Sequence, residues 1–186
     1  MKTKAEKINC NRGFTLIELL VVVLIIGILA AVALPQYNKA VLKSKTKSMF
    51  SLVRSLANAE EVYYMEHGEY ASLFSELPID LPQKTGTCQF SGMTNYPECY
   101  VLGDWEIAIA KTASTTPYGI ESYFAKGNLK IISYLENARD LSVMGNITCI
   151  AQPAPGQSSG RSELGKSLCR SLGGSAINDT DYMFKL

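Results

Sequence analysis

Histidine is almost missing from this sequence of 186 residues, with His67 the only one. It stands at a predicted helix end with no nucleophile motif beside it, so neither a base–nucleophile pair nor a histidine metal site can be assembled around it. There is no Gly-rich phosphate-cradling loop of the Walker or dinucleotide type. The cysteines form no Cys-x-x-Cys pair, which removes the usual zinc and redox frameworks. Net charge is also scarce, at +1, so no excess of basic side chains points to nucleic acid. These absences leave no catalytic constellation and no call for a cofactor, and the chain reads as a non-enzyme.

What is present is unevenly placed. Hydrophobic residues make up 47% of the chain, and many are concentrated near one end. The 21 residues from Phe14 to Leu34 contain one charge, Glu18. At about 1.5 Å per residue, such a helix crosses a ~30 Å hydrocarbon core. Residues 1–13 form a polar leader carrying Lys2, Lys4, Lys7 and Arg12 against Glu6, net +3, while the rest has fourteen basic and sixteen acidic side chains, net −2. The leader ends at Arg12-Gly13, directly before the apolar run. An ordinary signal peptide is cut after its apolar core, and Ala30-Ala31-Val32-Ala33 imitates such a site. Against that alternative, the apolar core is longer than the usual h-region and an acidic residue stands near its start.

Of five cysteines, Cys10 precedes the apolar run and Cys88, Cys99, Cys149 and Cys169 follow it. An even set on one side of a membrane reads as disulfides in an oxidising compartment. Four cysteines allow three connectivities. Closure entropy favours the two short loops, Cys88 with Cys99 and Cys149 with Cys169.

A helical pattern continues past the span. Tyr37, Val41, Met49, Phe50, Leu52, Val53, Leu56, Ala59 and Tyr63 keep an apolar stripe at spacings of three and four, which predicts a helix to about Glu66 stopped by His67-Gly68. Its first half is expected to project, needing lipid or copies of itself as surroundings. Pro35 and Gly27 predict either a bend or extendable stretch between them, or a proline tolerated at the membrane edge. Glu69 to Cys99, with Pro78, Pro82 and Pro97, reads as a structured loop. Strands are predicted at Trp105–Ala110, Tyr118–Phe124 and Leu129–Leu135, with a fourth at Asn146–Ile150. Turn signals at Thr115-Thr116-Pro117 and Lys126-Gly127-Asn128 suit an antiparallel meander packed on the second half of the helix. The tail from Gln152 reads as apolar-poor, with Ala154–Gly160 an exposed loop. The fold class is therefore α+β. It divides into a leader (1–13), a membrane or packing half-helix (14–34), an amphipathic half-helix (35–66) and a globular head (67–186).

Glu18 is the most informative residue. A carboxylate inside an apolar span costs about 2.5–3.5 kcal/mol near the helix centre and normally has a partner. A cut between Gly13 and Phe14 exposes an α-amino group four residues away, on its own helix or a neighbour's; the alternative is a Glu18 that snorkels to the headgroups. Lys39, Lys43, Lys45 and Lys47 touch anionic lipid, pair with acidic residues of adjacent copies, or simply form a solvated face. Asn178-Asp179-Thr180-Asp181 could supply oxygen to calcium but lacks EF-hand spacing, and a polar turn fits better. Asn146-Ile147-Thr148 and Asn178-Asp179-Thr180 match a short glycosylation pattern.

Gly13-Phe14-Thr15-Leu16-Ile17-Glu18-Leu19-Leu20, with Gly27-Ile28-Leu29-Ala30 and Pro35-Gln36-Tyr37, resembles the N-terminal signature of type IV pilins and of the pseudopilins of type II secretion. The resemblance is dense over Arg12 to Tyr37 and only architectural beyond. It implies the type IV pilin fold, cleavage after Gly13 by a prepilin peptidase, and methylation of the new amino group of Phe14. It also implies pairing of Glu18 with the N-terminus of an adjacent subunit and loss of helicity between Gly27 and Pro35 in assembled filaments. Cys149–Cys169 would be the C-terminal disulfide bordering the exposed filament surface. The implied partners are other copies of the chain, the peptidase, an inner-membrane assembly platform and, before assembly, the bilayer; no nucleic acid is expected. The implied location is the bacterial inner membrane, leader cytoplasmic and head periplasmic, and afterwards a surface pilus or a periplasmic pseudopilus. The expected function is a pilus subunit. The alternatives are a pseudopilin driving protein export and a membrane-tethered binding protein that never polymerises.

Overall fold

The computed structural model describes residues 14–81, 88–89, 96, 98–111, 117–135, 145–153, 161–177 and 183–186. These fall into two compact units, Met1–Val41 and Leu42–Leu186. Helix α1 (Leu16–His67) contributes to both. It contains Pro35 without interruption, so the bend considered from sequence does not break it. Proline lacks the N–H that would bond the Ala31 carbonyl, which leaves one rung of the ladder unmade. The helix ends where glycine allows it to. Gly68 takes φ +75° and its N–H donates to the Tyr64 carbonyl at 2.8 Å, a left-handed cap that a side chain would strain.

In the first unit the apolar side chains of α1 stay exposed. In the second, Met49, Val53, Leu56 and Ala57 are buried at the helical spacing that the stripe predicts. They share a core with Ile107, Ile109, Ile120, Phe124, Leu129 and Ile131 of the sheet. The α+β class, a long N-terminal helix with an antiparallel sheet, is the arrangement expected of the type IV pilin fold.

Among the described residues the sheet has seven strands in the order β1-β2-β3-β4-β5-β7-β6: β1 (Cys99–Leu102), β2 (Trp105–Lys111), β3 (Pro117–Phe124), β4 (Leu129–Tyr134), β5 (Ile147–Ala151), β6 (Ser175–Ala176) and β7 (Met183–Lys185). Every adjacent pair is antiparallel. β2 to β5 are the four strands expected, and they pair as the predicted meander. Their alternation sets the register: Trp105, Ile107 and Ile109 on β2 and Ile120 and Phe124 on β3 belong to the core. On the other face Glu121, almost fully buried, pairs with Lys130 at 2.6 Å and accepts from the Tyr96 hydroxyl at 3.0 Å, which offsets the cost of burying a carboxylate.

Three parts of the sheet and one helix are additions to the sequence reading. Cys99, placed at the end of a loop, begins β1, and a short 3-10 turn at Phe74–Glu76 lies within the same stretch. The tail from Gln152 is not merely polar: it holds helix α2 (Glu163–Ser171), β6 and β7. Ser162 caps α2, accepting from the Gly165 N–H at 3.3 Å, and Gly165 is needed because a Cβ there would stand 2.5 Å from the Asn128 carbonyl oxygen. The turn at 115–116 and the loop at 154–160 lie outside the described residues.

Candidate functional site

The site begins at the first turn of α1. Its early N–H groups have no partner within the helix, and the sequence supplies one. The Thr15 N–H donates to Glu18 Oε2 at 2.8 Å, and the Thr15 hydroxyl donates to the same oxygen at 2.6 Å. The Glu18 N–H donates back to Thr15 Oγ1 at 3.3 Å. This is the reciprocal capping box of a Thr-x-x-Glu start. The first partner of Glu18 is thus its own helix terminus, which sequence reasoning passed over although Thr15-Leu16-Ile17-Glu18 spells the motif. A carboxylate here also opposes the positive end of the helix dipole. Among the described residues no cation forms an ion pair with it. Gly13 lies outside the described residues; Phe14, directly before the cap, is 71% exposed.

Beyond the cap the helix has no surroundings in its own unit. Fifteen large apolar side chains between Phe14 and Leu34 are exposed. At about 1.5–3 kcal/mol for each burial forgone, that is on the order of tens of kcal/mol unrealised in water. Among the described residues α1 is the helix long and apolar enough to cross a membrane. Gly27 meets no atom within 4 Å of a built Cβ, so close packing inside the chain does not account for it, and Pro35 is likewise exposed.

The lysines divide. Lys39, Lys43 and Lys47 lie on exposed positions of α1, whereas Lys45 is tied within its own unit to Asp104, which also pairs with Lys126 at 2.6 Å. The hydrogen bond from Lys126, then that from Lys45, holds the Asp104 carboxyl below its usual range, against an opposing effect of burial.

The four described cysteines meet in two pairs. Cys88 and Cys99 are bonded with a Cα separation of 6.2 Å, and Cys149 and Cys169 with one of 5.6 Å. The second bond joins β5 to α2 and is fully buried, while the first is half-buried. Cys88, Cys99 and Glu106 bring possible ligand atoms within 4.8 Å of one another, but sulfurs bonded to each other are not thiolate ligands. His67 stacks on Tyr63 with ring centroids 4.1 Å apart and is spent on closing the helix. In the pattern Asn146-Ile147-Thr148, Thr148 is buried in β5. Residues 178–181 lie outside the described residues.

The sequence of this first segment has counterparts elsewhere. Residues 8–34 match the family described as the prokaryotic N-terminal methylation motif. That segment is what this chain shares with the relatives it matches. The chain is 42% identical over 67 residues to the type IV major pilin protein PilA of Myxococcus xanthus, covering 36% of this chain and 30% of that protein. It is 44% identical over 62 residues to a fimbrial protein of Neisseria meningitidis, covering 33% and 36%. Over 58 residues it is 47% identical to the fimbrial protein EcpC of Eikenella corrodens, covering 31% and 38%. The chain thus spans about a third of the length of these curated relatives. No solved structure gives a significant match.

Proposed function

We propose that this chain is a structural subunit of a type IV pilus-like filament, held in the bacterial inner membrane by residues 14–34 and then drawn into a polymer of its own copies. The observation that carries this function is the coincidence of the methylation motif with a helical segment whose apolar side chains lack intrachain cover. Lipid first, and neighbouring copies afterwards, supply that cover. Residues 1–13 are the leader, residues 35–66 the amphipathic half of the helix and residues 67–186 the head. A prepilin peptidase cuts after Gly13 and methylates the amine of Phe14. The assembly platform in the inner membrane then takes up the processed chain, with the leader side cytoplasmic and the head periplasmic.

In this scheme Glu18 has two tasks. It keeps the helix start capped, and it receives the positively charged N-terminus of an adjacent copy, giving register along the polymer. Gly27 and Pro35 mark the part of α1 whose ladder is weakest, where helicity is lost when subunits pack. A surface pilus is favoured over a secretion pseudopilus because the relatives quoted are pilins and fimbrial proteins by name.

Processing provides the direct test. Replacing Gly13 with a bulky residue, as in Gly13→Leu, is expected to block cleavage and leave the full-length chain in the membrane. A mature N-terminus still at Phe14 in that variant would overturn the peptidase assignment.

A further inference from the structure

Charge along α1 and the chain that follows it is segregated into two blocks. Lys39, Lys43, Lys45, Lys47 and Arg54 stand between Glu18 and Glu60 with no acidic residue among them. Glu60, Glu61, Glu66, Glu69, Glu76 and Asp80 follow, with no lysine or arginine between Arg54 and Lys84. A solvated helix face gains from opposite charges three or four residues apart. The blocks forgo that gain, since each holds one sign only.

In the second unit Lys43, Lys47 and Arg54 are exposed. At 3.6 residues per turn they lie within about 40° of one another and form one row. Lys45 stands on another side of the helix and is held by Asp104. Glu66 and Glu69 are exposed too, and Glu66 is about 120° round the helix from the row. Among the described residues none of Lys43, Lys47, Arg54, Glu66 and Glu69 takes part in an ion pair. The acids share one neighbourhood: burial first, and then the charges of Glu76, Glu69 and Glu60, push the Tyr63 phenol up. Lys47 and Glu66 both belong to α1, where their separation in sequence amounts to about 28 Å of helix, so one chain cannot pair them.

A row of cations attracts any anionic surface, and the acidic block of the same helix narrows the choice. Lipid headgroups or a nucleic acid would be repelled by that block. A second copy brings an acidic block to the row and has its own row to offer, so each copy presents both halves of the contact. Two copies side by side in the same register would set like charges together, so complementarity also demands a stagger.

We infer that Lys43, Lys47 and Arg54 form a docking face for a second copy of this chain, whose Glu66 and Glu69 meet it with α1 displaced along its axis by roughly 25–30 Å. The inference rests on the filament reading and adds to it a contact made by the second unit, separate from the one at Glu18.

The test begins with filaments sheared from cells expressing the parent chain. A water-soluble carbodiimide joins a lysine amine to a touching carboxylate as an amide and takes up the water released; digestion and mass mapping then locate the joined residues. The expected product links Lys43 or Lys47 to Glu66, and the length of helix between them makes it a bond between copies. Charge reversal is the second arm. Lys43→Glu with Lys47→Glu, and separately Glu66→Lys with Glu69→Lys, are each expected to lower the sheared yield about tenfold or more, and all four changes together to bring it back to within about threefold of the parent. Chain level in the membrane and intact disulfides show which variants fold; for any that do not, the amide in parental filaments decides. Parental filaments that lack this amide overturn the docking face, as does a folded reversal variant with parental yield. A loss that the fourfold change leaves unrestored also overturns it, and is the result expected if the row serves anionic lipid. Parent cells that form no filament overturn the filament reading itself, and this face with it.

Discussion

The functional weight of this chain rests on a few side chains, and Glu18 can be tested as two separable groups, an acceptor and a charge. Its hydrogen bonds with Thr15 need only an acceptor, whereas pairing with a neighbour's amino terminus needs the negative charge. Glu18→Ala removes both and is expected to weaken the helix start by about 1 kcal/mol, leave cleavage intact and abolish most filament. Glu18→Gln keeps an acceptor and loses the charge. If charge sets the register, its sheared filament yield falls with that of the alanine variant; a normal yield from glutamine would reduce Glu18 to a cap. Asp104 gives a second test at this scale. Its carboxyl is held low by Lys126 and Lys45, so the folded state binds protons less readily than the unfolded chain. The contribution is therefore complete above the unfolded value near 3.8 and disappears as pH falls through the folded one. Asp104→Asn is expected to cost up to about 1 kcal/mol at neutral pH and to melt like the parent chain once the pH lies below the folded value. A difference that persists in acid would contradict this origin.

Among the elements, the two disulfides differ by position. Cys149–Cys169 closes 20 residues and is buried between β5 and α2; removing it with paired serines is expected to cost about 3 kcal/mol on the chain-entropy model. Cys88–Cys99 is half-buried, so mild reductant should open it first, as read by timed alkylation and peptide mass mapping. Loss of protection at Cys149 before Cys88 would contradict the buried placement. Long, periodic elements were legible from sequence: α1 by its stripe, and β2 to β5 by alternation and turn residues. Short ones were not. β1 has four residues and β7 three, and β7 is specified by pairing with β5 rather than by any pattern of its own. α2 was readable in principle, through Ser162 as a cap and Leu164, Leu168 and Leu172 at spacings of four, but the polar composition of the tail outweighed that spacing. The Gly103-Asp104 turn between Leu102 and Trp105 is likewise a two-residue hairpin signal that was passed over. The Lys45–Asp104 contact, 59 residues apart in sequence, has no local signature.

For the whole molecule, the unresolved quantity is where the exposed apolar surface from Phe14 to Leu34 goes. The second unit buries a core of its own, but this segment cannot be left in water at a cost on the order of tens of kcal/mol. A permanent anchor and a polymer core both solve the problem, and they make different demands. An anchor uses Glu18 only as a cap on the helix start, whereas stacking copies in register also uses its charge. The candidate site was legible in the sequence to that extent, since Gly13, Phe14 and Glu18 stand at fixed spacing before an apolar run. The local cap at Thr15 is spelled in sequence only by the short Thr-x-x-Glu pattern, which the apolar run around Glu18 overshadows. The decisive measurement is electron microscopy of material sheared from cells expressing the chain, with mass spectrometry of the intact subunit in those fibres. The expected result is thin filaments whose subunit begins at a methylated Phe14 and retains both disulfides. Cells that hold only membrane-bound chain beginning at Met1, with no fibre containing it, would contradict a filament subunit.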